Sequence, residues 1–197
     1  DALGATFKNS LPVASSGAFF GGAGENVTGG NSYFEEIAQT TQGLIADDYE
    51  DAISILGNED EYVFNMISAP GLLYSIGAHK VVLDSIISLS ETRGDNIAVV
   101  DLRPYESTVS NVTGTADTLN SSYAATYWPW LQTVSSSGRT VWIPASVVIP
   151  GVYAFTDGAA APWFAPAGLT RGGIGNVIQA ERKLTRTQRD SLYNANS

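Results

Sequence analysis

The sequence predicts an α/β fold with a largely parallel sheet and flanking helices. Residues 61–69, EYVFNMISA, and 96–102, NIAVVDL, are nearly continuous apolar runs, the pattern of strands buried on both faces. Between them, residues 72–92 repeat apolar side chains at helical spacing through Leu73, Ile76, Val81, Ile86, Ile87 and Leu89, and Gly94-Asp95 ends the repeat. Strand, helix, strand is the βαβ unit of a parallel sheet. With 44% hydrophobic and 15% charged residues, the 197-residue chain can bury a core and is not disordered as a whole.

The other elements follow in order. Residues 9–32 are rich in Gly, Ser and Asn and read as loops, with a possible short strand at Ala18-Phe19-Phe20. NSYFEEIAQ places Ser32 and Glu35 at capping-box spacing, which predicts a short helix. Residues 47–58, DDYEDAISILGN, predict another: Tyr49, Ala52, Ile53 and Leu56 share a face, acids fill the first turn and Gly57 ends it. Pro70-Gly71 is expected to end the first apolar strand, and Arg103-Pro104 the second. Residues 105–122 are a short helix or loop. Residues 124–133, AATYWPWLQT, read as one strand with Pro129 at an edge or bulge. SSSGR is a turn, and TVWIP returns as the hairpin partner. Residues 145–157 have a helical composition, against which Pro150 and three consecutive β-branched residues argue. Thr185 and Gln188 form a capping box that opens a last helix, with Arg186 and Arg189 together and Asp190 four residues after Arg186.

Composition narrows the function. Cysteine is absent, so disulfides and thiolate metal sites are excluded. No apolar run approaches the roughly 20 residues of a membrane helix, and no basic-then-apolar leader opens the chain. The net charge of −10 is uneven: residues 1–61 hold one base and eleven acids, residues 62–170 four bases and seven acids, and residues 171–197 five bases and two acids. The body lacks the basic stripe that nucleic acid requires. An acidic protein surface suits the basic end better.

Candidate chemistry is sparse. His79 is the only histidine, and Ser146 is the best-placed nucleophile for an Asp–His–Ser order, yet no Gly-x-Ser-x-Gly turn occurs. DDYED and NEDEY lack the spacing and central glycine of a calcium loop. GGAGE and RGGIGN lack the lysine-serine pair of a phosphate loop. No catalytic residue, cofactor site or metal site is assigned. The four tryptophans fall within residues 128–163 among apolar neighbours, as core or interface packing requires.

The ordered blocks FFGGAGE, YVFNMISAPG, NIAVVDLRP, IPASVVIPGVYAFTDG, PWFAPAGLTRGG and LTRTQRDSLYNANS resemble the tail sheath proteins of contractile-tailed bacteriophages. The resemblance covers roughly residues 17–197, and Trp163 to Gly168 is its most specific block. It implies a subtilisin-like α/β domain lacking a catalytic triad, spanning residues 1–170, in which residues 1–16 belong either to this domain or to a preceding region. A C-terminal helical extension at 171–197 would begin a tube-facing domain, and the chain would lack the family's N- and C-terminal arms.

The resemblance also implies a structural, non-enzymatic subunit of the virion tail. Hexameric rings of copies would stack helically around a tail tube in the host cytoplasm, in contact with the tube, baseplate and tail terminator, without direct nucleic-acid contact or membrane insertion. Contraction would then drive the tube through the host envelope. From the charge distribution, Arg186 and Arg189, with Arg182 and Lys183, are expected to face the tube, unless they only solvate a helix. Trp163, Phe164, Pro166, Gly168 and Arg171 are expected to form a domain joint, with the aromatics anchored on the body. The alternatives are a serine hydrolase of subtilisin-like fold and a passive virion decoration protein.

Overall fold

The computed structural model describes residues 45–161 and 163–195. The expected strand at 18–20, the expected helix at 31–39 and the possible remnant at 1–16 lie outside the described residues. The elements are α1 (Ala46–Leu56), β1 (Met66–Leu73), α2 (Gly77–Arg93), β2 (Ile97–Asp101), α3 (Val109–Ala116), β3 (Ala124–Thr126), β4 (Leu131–Val134), β5 (Thr140–Ile143), a 3-10 turn (Ala145–Val147), α4 (Ile149–Ala159), α5 (Gly168–Arg171), β6 (Val177–Ala180) and α6 (Arg186–Asn194).

The fold is mixed α/β with two three-stranded sheets, ordered β1-β2-β3 and β5-β4-β6. The first is parallel, with Ile67 opposite Ala98 and Val99 opposite Ala125. The second is antiparallel, so parallel pairing does not extend through the molecule as the sequence suggested. The βαβ unit is present with shifted bounds. Pro70-Gly71 does not end β1 but lies inside it, where the register shifts between Ser68 and Leu73 and Gly71 takes φ 101°. Such a bulge absorbs a residue that cannot donate to the ladder. The helix therefore starts at Gly77 rather than 72, and Val81, expected on its apolar face, is 61% exposed.

Alternation along β2 sends Ala98 and Val100 into the main core and Val99 and Asp101 to the opposite face. The main core joins Val82, Leu83, Ile86 and Ile87 of α2 to Val112 and Ala116 of α3 and to Leu192 of α6. Tyr49 and Ile53 of α1 pack against it. The buried Arg93 clamps α1 in place: its Nη1 and Nη2 donate to the carbonyls of Leu56 and Tyr62 at 2.7 and 2.8 Å, and Asp95 pairs with it. That guanidinium, with the Asn96 amide, holds the Asp95 carboxyl down at about 2.

The single strand expected over 124–133 is two strands in two sheets. Pro129, which has no N–H to donate, stands between them in a cis peptide after Trp128. The hairpin expected next is present, with Val134 opposite Thr140 and Gly138 at φ 77° in its turn. Residues 149–159 are a regular helix despite Pro150, which falls in the first turn where no N–H is needed. The Thr185–Gln188 capping box closes as expected, at 3.0 and 3.3 Å. The boundary expected at 170/171 is not a boundary of packing: β6 pairs with β4, and Leu192 and Ala195 belong to the same core as α2.

Adjacent α2 positions test this packing. Leu83→Ala, at a site 1% exposed, is expected to destabilise the protein by about 3 kcal/mol. Val81→Ala, at a site 61% exposed, should change stability by less than about 0.5 kcal/mol. Urea denaturation of the two variants measures both.

Candidate functional site

The carboxyl ends of parallel strands are where α/β sheets usually place chemistry, and the two residues of the hydrolase alternative lie there. His79 on α2 is fully buried, and its Nδ1 accepts the Leu73 N–H at 3.1 Å. An imidazole nitrogen accepting that bond carries no proton. Ser146, 2% exposed, begins the approach to α4. Its Oγ donates to Asp101 Oδ2, and its N–H donates to Asp101 Oδ1 at 3.2 Å. Asp101 ends β2 and is 4% exposed. Burial pushes its carboxyl up to about 6, against the lowering effect of the two Ser146 bonds.

These contacts oppose catalysis. A Ser-His-Asp site has the serine hydroxyl on the histidine, but this one donates to the Asp101 carboxylate. The hydroxyl is also closed off from substrate. The trio instead fixes the end of the sheet and the start of α4. Asp101 was not singled out from sequence; an acid ending an otherwise apolar strand was the available signal.

The second sheet joins the first through an aromatic seam. Glu181, its side chain 3% exposed, follows β6. Its Oε1 accepts the Glu106 N–H at 2.9 Å, its Oε2 accepts the Trp130 N–H at 3.4 Å, and its own N–H donates to the Trp130 carbonyl at 2.8 Å. Glu106, at φ 68°, is a non-glycine residue in the left-handed region, which something else must stabilise. Trp130 Nε1 donates to the Arg103 carbonyl at 2.9 Å, and Tyr105 packs on Trp130 and Trp142. Arg182 pairs with Glu181 and lies over the Trp128 ring at 5.2 Å.

This seam changes where the expected site residues stand. Arg182, placed by charge among the tube-facing cations, is committed to its own chain. Lys183, Arg186 and Arg189 are exposed, and Arg186 and Arg189 share a helix face with Tyr193, which is 83% exposed. The tryptophans of the seam are Trp128, Trp130 and Trp142. Of the residues expected at a domain joint, Trp163 is 83% exposed and Phe164 44%. Arg171 stacks on Phe164 at 4.7 Å and its Nε donates to the Ala165 carbonyl at 3.3 Å. Thr156 of α4 donates to the Arg171 carbonyl at 3.3 Å. Pro166 and Gly168 make the turn, with Gly168 at φ 80°. Arg171 thus ties the 164–171 loop to itself and to α4.

One surface is conspicuously apolar. The α4 sequence IPGVYAFTDGA is apolar nearly all round, a pattern of helices covered on every side, yet only Val152 and Thr156 are buried. Its outer side and the segment after α5 enclose an open groove of about 730 Å³, lined by Val147, Phe155, Leu169 and Ile174 among others, with no charged residue. Leu169 is fully exposed and Phe155 58% exposed. Contiguous exposure of this kind marks contact surfaces. Among the described residues no helix is long and apolar enough to cross a membrane.

The family described as phage tail sheath protein central domain matches residues 42–197. The tail sheath protein of Vibrio phage KVP40 is 42% identical over 55 residues, which is 28% of this chain and 8% of that protein. The tail sheath protein of Enterobacteria phage T4 is 42% identical over 52 residues, 26% of this chain and 8% of that protein. The matched stretch thus spans less than a tenth of either relative. A cryo-EM structure of the anti-feeding prophage helical sheath in the contracted state aligns with TM-score 0.48 and 20% identity, covering 74% of this chain and 37% of that one.

Two measurements check the buried trio. An acid whose folded pKa is raised from 3.8 to about 6 favours the fold in its protonated form, so that stability is lost as pH rises through 6. Asp101→Asn should remove this pH dependence, so that the wild type loses stability relative to the variant between about pH 4 and 6, by on the order of 3 kcal/mol, whatever the constant offset from the altered Ser146 bonds. Denaturation midpoints at several pH values test the sign, and a difference independent of pH contradicts it. A fluorophosphonate probe should leave Ser146 unlabelled; labelling abolished by His79→Ala would instead restore the hydrolase reading.

Proposed function

The chain belongs to the phage tail sheath family, and on that premise we propose that it is a structural, non-enzymatic part of a contractile-tail sheath subunit. The match of residues 42–197 to the family's central domain carries this reading. The buried, carboxylate-bound Ser146 supports it over the hydrolase alternative. The α/β body is taken as the subtilisin-like sheath domain, and residues 171–197 as leading toward a tube-facing region. Copies stack as hexameric rings in a helix around the tail tube, assembled in the host cytoplasm and incorporated in the virion tail, with baseplate and terminator at the ends. Contraction is a change between two packings of the same subunits, whose small interface differences sum over many copies. Contacts between unlike surfaces, which propagate rather than close, build such a helix.

The cations expected to face the tube reduce to Lys183, Arg186 and Arg189, since Arg182 is held by Glu181 and Trp128. Reversing Arg186 and Arg189 to Glu in the full-length protein should reduce sheath assembly on tubes by about tenfold or more at moderate salt, without changing thermal stability. Undiminished assembly in electron micrographs defeats the electrostatic assignment. Full-length wild-type protein forming tubes of two different pitches distinguishes a sheath from a passive decoration protein.

A further inference from the structure

The amino ends of β1 and β2 border a second open pocket, of about 400 Å³, whose Phe164 wall also carries Arg171. Tyr127, Tyr153, Phe164 and Pro166 form its walls, and Asn65 and Asp157 add polar groups. The Tyr127 and Tyr153 hydroxyls are hydrogen-bonded to each other, and their rings meet edge to face at 6.3 Å, which fixes that wall. Asp157 is exposed, and no cation pairs with it among the described residues.

Aromatic faces around a carboxylate suit a guanidinium, which is planar, weakly hydrated and able to stack and pair at once. The chain uses this combination twice among the described residues, with Arg93 over Phe64 at 4.5 Å beside Asp95 and Arg182 over Trp128 at 5.2 Å beside Glu181. Arg139 is the guanidinium left to fill the pocket. It is exposed beside Gly138 in the turn of the β4–β5 hairpin, and its side chain has no ion pair among the described residues. Arg103 is held by Thr115, and Arg186 and Arg189 are assigned to the tube above, whereas Arg139 stands at a hairpin tip that can project into an open pocket.

We propose, resting on the sheath reading above, that this pocket receives Arg139 from a neighbouring copy of the chain. Plug and socket lie on different parts of one copy, which allows a head-to-tail contact that propagates, as a helical stack requires.

The test is charge exchange in the full-length protein. Asp157→Arg and Arg139→Asp, each alone, should raise the concentration needed for assembly at least about tenfold, because each sets like charges against each other. The double variant Asp157→Arg/Arg139→Asp should return to within about threefold of the wild type, because the pair is restored with its charges exchanged. Sedimentation and electron microscopy read the assembly, and thermal midpoints check that each variant is folded. Asp157→Asn and Arg139→Gln, which remove charge without reversing it, should give smaller losses in the same direction. Single variants that assemble like the wild type, or a double variant no better than its weaker parent, overturn the contact. If the wild-type protein forms no tubes, the sheath reading itself fails; if tubes form and ignore these substitutions, only this contact fails.

Discussion

The fold hinges on a buried carboxylate at the end of the central strand. Asp101 closes β2, and both of its oxygens are taken by the backbone and side chain of Ser146, 45 residues later. Burial disfavours the charge, so the carboxylate is held there by directed bonds. Those bonds set where the 3-10 turn begins and so where α4 starts. The outer groove and the tyrosine-lined pocket both depend on that placement, since α4 contributes a wall to each.

The two sheets are held together by different chemistry. The parallel sheet is packed on apolar residues of α2, α3 and α6, where volume and shape decide. The antiparallel sheet is fastened by Glu181, Trp130, Tyr105 and Arg182, where hydrogen-bond direction decides. This seam gives backbone donors to a carboxylate that would otherwise be buried alone. It also explains how Glu106 keeps a left-handed conformation: its N–H is held by Glu181. A sheet with three tryptophans at its root thus joins the body without forming a second core.

Local pattern and non-local partnership differed in how legible they were. The β4–β5 hairpin and the capped last helix could be read because each depends on neighbours within a few residues, and the β1–α2–β2 unit because the pattern of each element is local, although Met66 pairs with the distant Ile97. The break at Pro129 could not, because which sheet a short strand joins is settled by partners far along the chain: β4 takes β6, more than 40 residues on. The bulge at Pro70-Gly71 was read as a stop because a proline ends a strand unless the register can slip past it. Among the basic residues, charge alone could not separate Arg182 from Arg186; only the buried Glu181 and the Trp128 ring distinguish a cation facing inward from one facing out. Trp163 poses the converse difficulty, since an aromatic side chain carries no sign of which surface covers it.

The segment from β6 to α6 has a mechanical consequence. Within fewer than 20 residues it contributes a strand to the antiparallel sheet and, through Leu192 and Ala195, two side chains to the main core. A pull on α6 is therefore resisted along two routes at once, by extraction of apolar side chains from the core and by shear of the β4–β6 ladder. Neither layer can be drawn away without loading the other, so the body moves as one piece when its last helix is displaced.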